Sequence, residues 1–541
     1  VTPATLPQAL ARTAETDRGV SFWGKTGTSL RLGFADLRER AERLAGGLVA
    51  AGLEPGARTL VLLPTSPELL ATLFGCLRVG VIPAAAPPPQ GEAGVAAYGR
   101  RLRAMAAEVG AETVIGQADV LAGLELGLRL LDPTQLEASS PTAAELPSDP
   151  RATAILQFTS GSTATPKAVT LSHGALLANC AQIAAGARID TGDVMVSWLP
   201  LFHDMGFLAA VTAPAALGLE LVLSTPRVFL RDPLSWLRAF SEHRGTHCGA
   251  PSFAYRYLLG RTGRGPLPEL DLSSWKVACV GAEPIHGPTL RAFAARLAPL
   301  GFGASTLTPC YGLAEATLAL SMKPFDAVPQ SLHVDRGALA QGEVRLAEGG
   351  IELPSSGPAL PEVELTIHDP ADGSPLPEGR VGEVWARSPS LFSGYWGRGR
   401  EGFSDDGRLR TGDLGFLHEG ELYVTGRIKD TIILRGENHA PAEIEWAAEV
   451  EGVRSGRVVA FGRANPKTAT EDLVVLAEVE RDADAEAVTL AVRHAVFDRT
   501  GLAVNDLELV PRGTLPVTTS GKLQRGLARK LFEQLRAASA D

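Results

Sequence analysis

Two short stretches of the chain gather small hydroxyl residues, a glycine and a lysine. The first, FTSGSTATPKAV, spans Phe158 to Val169 and carries Thr159, Ser160, Gly161, Ser162, Thr163 and Thr165 ahead of Pro166 and Lys167. Such residues let backbone N–H groups and hydroxyls converge on one concave point, and the lysine adds a compact positive charge beside them. That arrangement could cradle a phosphate, although Ser/Thr/Gly clusters also make ordinary loops. The second stretch, LPVTTSGKLQR, repeats the theme with Thr518, Thr519, Ser520, Gly521 and Lys522. It is not a Walker loop, because Pro516 stands where that motif needs its first glycine, and alone it also reads as a hinge before the last helix. Two such loops far apart in one chain suggest a shared anionic substrate gripped from both sides.

Other candidates lie between them. CYGLAEATLALS puts Tyr311 at the end of a strand-like run and Glu315 in the first turn of the helix expected to follow. The tyrosine could stack on a planar base and the carboxylate could hold a hard cation such as Mg2+. The plain alternative is a core tyrosine and a glutamate that favours a helix N-terminus. RTGDLG offers Asp413 on a turn, able to accept from two ribose hydroxyls. WLPLFHDMGF sets His203 and Asp204 among apolar residues, where polar groups need hydrogen-bonded partners, a satisfied core histidine being the other reading. There is no GxSxG elbow, no HExxH, and no GxGxxG at a strand end. The chemistry implied is a substrate attacking a nucleotide, with no nucleophile from the protein.

The elements that must position these residues alternate in type. RTLVLLP reads as a strand, and SPELLATLFGCLRVG as a helix with Ser66 as N-cap, Pro67 at its first position and Gly80 past its end. The same grammar returns in TAILQFTS, AVTLSHGALLANCAQIAAG and WKVACVGAEPI followed by GPTLRAFAARLAPLG. This predicts α/β layers around a largely parallel sheet. After about Ser321 the texture becomes Pro- and Gly-punctuated strands, with a hairpin turning at Glu419 and Gly420. From Thr431 a compact third texture follows, ending in a helix whose Leu523, Leu527, Leu531 and Leu535 are expected to form its packed face. The expected fold is therefore α/β: a large N-terminal part of layered α/β subdomains with a β-rich subdomain (1–428), plus a small α+β C-terminal lid (429–541).

Bulk properties narrow the partners. At 541 residues more than one core is expected, and 45% hydrophobic with 21% charged residues is a globular composition. A net charge of -10 argues against a broad nucleic-acid surface, so an anion must be held locally. Cys76, Cys180, Cys248, Cys279 and Cys310 are dispersed without CxxC spacing, which favours reduced thiols and disfavours zinc. The run from Met205 to Leu219 is too short for a bilayer and carries Pro214, so it is expected to be buried core. With no signal-peptide pattern in VTPATLPQAL, the expectation is a cytoplasmic protein without membrane insertion.

In order along the chain, TSGSTATPKAV, WLPLFHDMG, VGAEPI, YGLAEATL, RTGDLG, GRIKDTIILRGENHAPAEIE and TTSGKLQR resemble the adenylate-forming superfamily of acyl-CoA synthetases, peptide-synthetase adenylation domains and luciferases. Within it the chain is most similar to the fatty acyl-AMP ligases, through LPLFHDMG, GLAEATL, IILRGENHAPAEIE and FGCLRVGVIPAAAPPP. LHVDRGALAQGEVRL (Leu332 to Leu346) falls where those ligases carry an insertion, here about 325–357, associated with poor use of free CoA. The resemblance implies activation of a carboxylic, expectedly fatty, acid by ATP and Mg2+ to an acyl adenylate with release of pyrophosphate. Transfer to the phosphopantetheine thiol of an acyl carrier protein would follow. It places Thr159 to Thr163 and Lys167 on the β- and γ-phosphates, and Lys522 on the α-phosphate and acyl oxygens. Glu315 would hold Mg2+, and His203 would sit by the acyl carboxylate. Gly281, Ala282, Glu283, Tyr311 and Gly312 would hold adenine, Asp413 and Arg427 ribose, and Lys429 would be the hinge of the lid. The chain departs from the family at Ala164 and Ala168, where glycine is usual; a positive φ there would cost about 1 kcal/mol. Rival readings are an acyl-CoA synthetase using free CoA, an amino-acid adenylation enzyme with Asp204 facing the ammonium, and an inactive adenylate-binding scaffold. Arg525, Arg529, Lys530 and Arg536 form a basic tail that could meet an acidic carrier protein.

Overall fold

The computed structural model describes the chain except residues 1, 89–94, 122, 160–166, 264, 466–469, 519–521 and 541. Its central element is an eight-stranded sheet built from β1 (Gly19–Gly24), β2 (Gly27–Gly33), β3 (Val194–Ser197), β4 (Glu220–Leu223), β5 (His247–Pro251), β6 (Val277–Gly281), β7 (Leu307–Tyr311) and β8 (Ser321–Met322). The order is β8-β7-β6-β5-β3-β4-β1-β2. The inner pairs are parallel and the two edge strands antiparallel. Short runs of Val, Leu and Ala make the inner parallel strands because both faces are covered, so no polar alternation is needed, while the edge strand β2 is mostly exposed. A second parallel sheet orders Ile82–Ala85, Arg58–Leu62, Thr113–Gly116 and Arg129–Leu131. The helix Pro67–Arg78 follows its strand as expected: the Ser66 hydroxyl accepts from Leu69 N at 3.3 Å, and Gly80 lies past the end at φ +70°.

Two helices flank the site end of the central sheet. Helix α1 (His173–Ala187) is capped by Ser172, whose hydroxyl accepts from Ala175 N at 3.1 Å. Helix α2 (204–217) is α-helical over Asp204–Phe207, widens to a π turn over Leu208–Thr212 and returns to α over Ala213–Leu217. Pro214 explains the widening: it has no N–H to donate, and its ring would clash with the carbonyl of Ala210 in a regular helix. The expected buried core over this run is found, with Phe207 to Ala213 all buried. Away from the site, packing is aromatic, with Trp198 stacked on Phe229 at 4.0 Å and Phe240 on Trp275 at 3.7 Å.

The β-rich part is an antiparallel sheet of Glu364–His368, Gly382–Arg387, Leu409–His418 and Glu421–Arg427, and its last hairpin turns at Glu419 (φ +51°) and Gly420 (φ +78°). The segment 325–357 forms a two-stranded ribbon, Ser331–Val334 with Ile351–Pro354, carrying the short helix Arg336–Ala340. Beyond the turn Ile428–Asp430, the strands Val453–Asn465, Thr470–Val479 and Asp506–Val510 make a separate sheet with helices Ala485–Thr500 and Arg525–Ala540.

Two expectations need correction. The run after Tyr311 is not an α-helix: only a single 3-10 turn, Ala314–Ala316, forms before Thr317 takes φ +70°. Gly312 forces this path, since a Cβ there would stand 1.7 Å from the Leu318 carbonyl oxygen. In the last helix, Ala528 and Phe532 are the buried residues, while Leu527 is 41% exposed. Leu523 lies before the helix begins. A row at four-residue spacing drifts about 40° per step around a helix of 3.6 residues per turn, so it cannot all stay on one face.

Candidate active site

The site forms where β5, β6 and β7 end. Pro251 and Gly281 pair at those ends, and Tyr311 closes β7 beside them. This is the edge of a parallel sheet at which ligands bind, outside the carboxyl ends of the strands. Ala282, the first residue past β6, holds φ +65°, a conformation costing an L residue about 1 to 2 kcal/mol. Its neighbour Glu283 accepts from Phe253 N at 3.0 Å, which ties this strained turn to the first turn of the helix Ser252–Thr262. The Glu283 carboxylate therefore shapes the turn.

Tyr311, Asp413 and Arg427 come together as one group. The Tyr311 hydroxyl donates to Asp413 Oδ2 at 2.8 Å, and Arg427 Nε donates to Asp413 Oδ1 at 2.7 Å. Asp413 and Arg427 face each other across the hairpin strands. Asp413 is 4% exposed and Tyr311 8%. Burial, reinforced by the Asp413 charge, pushes the Tyr311 phenol well above its usual range, so it remains a neutral donor.

Around the first loop, Thr159 N donates to the Lys167 carbonyl at 3.0 Å, closing the base of the connection between strands Thr153–Phe158 and Ala168–Ser172. Ser160, Gly161, Ser162, Thr163 and Ala164 lie outside the described residues. Ala168 is regular strand, buried, and absent from the positive-φ residues, so no strain arises there. Lys167 Nζ donates to Glu401 Oε1 at 2.7 Å and stands 4.7 Å from the Tyr395 ring centre. Tyr395 in turn donates to Glu315 Oε1 at 2.6 Å, and burial together with Glu315 raises its pKa.

The sequence reading missed Tyr395 and Glu401. The signal was SGYWGRGREG: Gly394 takes φ +130° and passes so close to Gly399 that a Cβ would stand 2.0 Å from that carbonyl oxygen. Such a constrained loop carrying Tyr and Trp, pinned through Trp396 N to the Ala168 carbonyl at 2.8 Å, marks a functional connection.

His203 lies half-buried at the start of α2, its ring 4.9 Å from that of Phe202. Burial lowers its pKa to about 4; Asp204 pulls the other way, and the cations of Lys522 and Arg101 add to the lowering. Lys522, more than 300 residues away in sequence, is thus within electrostatic reach of His203. Its loop is pinched like the first one: Thr518 N donates to the Lys522 carbonyl at 2.7 Å, and Lys522 N to Thr518 Oγ1 at 3.1 Å. Thr519, Ser520 and Gly521 lie outside the described residues. Lys429 is exposed in the turn Ile428–Asp430. The basic tail is corrected: Arg525 pairs with Glu445 at 2.7 Å and Asp430 at 3.5 Å, Arg536 with Asp506 at 3.1 Å, and Arg529 lies over Phe461. Arg525 is internal glue rather than a free docking cation.

Behind the strand ends opens a cavity of about 840 Å3, counting its mouth. Asp204, Ala282, Tyr311 and Gly312 frame it on the site side, and Ile183, Leu208, Ala209, Val277, Leu318 and Met322 make an aliphatic lining. An aliphatic pocket with a few polar groups at one end suits an amphipathic small molecule.

Residues 9–396 match the model of a family described as AMP-binding enzyme. The chain belongs to that family. A provisionally named acyl-CoA synthetase of Caulobacter vibrioides (strain NA1000 / CB15N) is 36% identical, over 98% of this chain and 95% of that protein. The medium-chain-fatty-acid–[acyl-carrier-protein] ligase JamA of Moorena producens (strain JHB) is 34% identical, over 93% of this chain and 90% of that protein. A solved structure from a study of fatty acyl-adenylate ligases of E. coli and L. pneumophila superposes with a TM-score of 0.91 at 32% identity, covering 99% and 98% of the two chains. This AMP-binding enzyme accordingly has an adenylate-forming fold throughout its length. Among the described residues, no helix is long and apolar enough to cross a membrane, and no group of three or more His, Cys, Asp or Glu could hold a metal ion.

Proposed function

We propose that this enzyme activates a fatty acid with ATP to an acyl adenylate, releasing pyrophosphate, and then passes the acyl group to the phosphopantetheine thiol of an acyl carrier protein. The observation that carries the reading is an apolar cavity that opens beside the buried Tyr311–Asp413 pair, with the charge of Lys522 felt at His203 at the start of α2. A carboxylate approaching a phosphorus ringed by negative oxygens is opposed by like charge, so catalysis requires fixed positive charge. Lys522 supplies it from the C-terminal part and Lys167 from the phosphate loop. Asp413, locked by Tyr311 and Arg427, keeps acceptor capacity for ribose hydroxyls. The Ala282 turn and the Tyr311 ring flank the place for adenine. Neutral His203 accepts or donates a hydrogen bond at the acyl carboxyl without adding charge.

Glu315 fits Mg2+: one carboxylate, oriented by the Tyr395 hydroxyl, with substrate phosphates and water completing the shell, is the usual protein share of such a site. The metal would supply charge neutralisation at the phosphates when bound. Residues 429–541 form the lid, turning about Lys429 between adenylation and transfer. Its contacts with the rest include Arg256 with Glu449 at 2.6 Å, Arg336 with Glu443, Arg336 with the Arg499 carbonyl at 2.7 Å, and the Trp446 ring against that of His286 at 4.7 Å. Such an interface can open at modest cost.

The test is pyrophosphate release with ATP, Mg2+ and a panel of fatty and amino acids, followed by acyl transfer to a holo carrier protein and, separately, to free CoA. Fatty acids should release pyrophosphate, and the carrier should be the better acceptor. Release with amino acids alone, or transfer to CoA at least as fast as to the carrier, would select one of the rival enzymes.

A further inference from the structure

The far end of the cavity does not take part in the chemistry at its mouth. It runs along the sheet from Asp204, Ala282, Tyr311 and Gly312 down to His247 and Val277, the first residues of β5 and β6, which are paired in register. Leu217, at the end of α2, lies on the same lining. Two independent rulers give its depth. Five residues of strand from Val277 to Ala282 advance about 16 Å. The α2 residues from Asp204 to Leu217 would advance about 19 Å in a regular α-helix, and the wider π turn at Leu208–Thr212 shortens that toward the strand's value.

His247 makes a hard floor. It is 2% exposed, with Nδ1 at 2.8 Å from Thr246 Oγ1 and Nε2 at 3.3 Å from the Ala187 carbonyl oxygen. Asp193, itself buried and held by Lys276 at 2.7 Å, stands 3.7 Å from Nδ1. Both ring nitrogens are engaged, so the ring offers the cavity no unsatisfied donor or acceptor. Behind it is an ion pair that cannot yield to hydrocarbon without losing its partners. The floor therefore suits a terminal methyl and leaves a terminal hydroxyl or amine without a partner there.

On the acid-activating reading, we propose that His247 is the end stop of an acyl tunnel and selects unbranched fatty acids of about 13 carbons, since C–C bonds of about 1.52 Å at about 111° advance about 1.25 Å per carbon. Dodecanoate and tetradecanoate fill the depth. Each methylene up to the stop raises kcat/KM about fourfold through burial, and further methylenes lose that gain to overpacking. Cys279, on β6 three residues below Ala282, gives an internal check: a bulky side chain there closes the tunnel after about 10 Å, or about 8 carbons.

The experiment measures kcat/KM for pyrophosphate release over saturated acids from butyrate to stearate in the parent, Cys279→Phe and His247→Ala enzymes. Thermal shifts with acyl-sulfamoyl adenosines of the same chain lengths supply a readout independent of turnover. Expected are a parent optimum at dodecanoate or tetradecanoate, a Cys279→Phe optimum near octanoate, and a His247→Ala optimum moved to longer acids. If His247→Ala does not fold, the Cys279→Phe profile still decides. A parent optimum at octanoate or below, or at stearate, overturns the end stop, as does an optimum unmoved by Cys279→Phe. No pyrophosphate from any acid overturns the acid-activating reading beneath it.

Discussion

Lys522 is the residue whose loss is expected to cost most. On the proposed reading, Lys522→Ala removes the cation that faces the building charge, and pyrophosphate release should fall about 100-fold or more with little change in melting temperature. Tyr395→Phe is subtler: it leaves Glu315 without its 2.6 Å hydrogen bond and should raise the Mg2+ concentration needed for half-maximal rate severalfold, measured by metal titration. His203 can be checked by pH. With a pKa lowered to about 4, it stays neutral through the physiological range, so kcat/KM should show no limb from it near pH 6.5. A limb there that disappears in His203→Asn would show that burial does not hold the ring neutral.

At the scale of elements, the contacts of the C-terminal part separate into those that hold it together and those that hold it down. Arg525 joins the last helix to Glu445 and Asp430. Arg525→Glu would leave carboxylates facing one another and should destabilise residues 429–541 by roughly 3 kcal/mol, read as faster hydrogen exchange confined to that part. Arg336, in the inserted ribbon, instead reaches across to Glu443 and the Arg499 carbonyl. Arg336→Ala should leave pyrophosphate release near the parent rate and increase turnover with free CoA, measured as thioester formation. Unchanged CoA turnover would remove this contact from the account of acceptor choice.

For the whole molecule, stability should depend on pH through a histidine far from the chemistry. His173, 3% exposed at the start of α1, accepts from Leu6 N at 3.3 Å and has its pKa lowered to about 4, mainly by burial. Because the folded value lies below the unfolded 6.5, the unfolded chain binds the proton first as pH falls. The stability is therefore complete above about pH 6.5 and declines toward pH 4, by roughly 3 kcal/mol for this group. Thermal melts across that range should show the decline, and His173→Asn should flatten it. The candidate site is legible to the extent that motifs name their own residues: local patterns single out Tyr311, Asp413, Lys167 and Lys522, the family resemblance adds Arg427, and the structure joins Tyr311, Asp413 and Arg427 by hydrogen bonds. Tyr395, Glu401 and His247 carry no such motif: Tyr395 meets Glu315 and Glu401 meets Lys167 from distant segments, and His247 lines the cavity through the packing of its strand, none of which local spacing encodes.

The alternation of strands and helices, the hairpin at Glu419 and Gly420, the cap at Ser66 and the ordered motifs follow from the chain's local order alone, because each rests on neighbouring residues and short-range sterics. Folding in three dimensions settles that Thr317 ends the turn after Glu315, that Leu527 faces out while Phe532 faces in, that Arg525 is internally paired, and which residues line the cavity. Those outcomes depend on what packs against each residue from distant segments. Long-range packing overrides local preference wherever a backbone must pass close to another chain segment or a side chain must find its counter-charge.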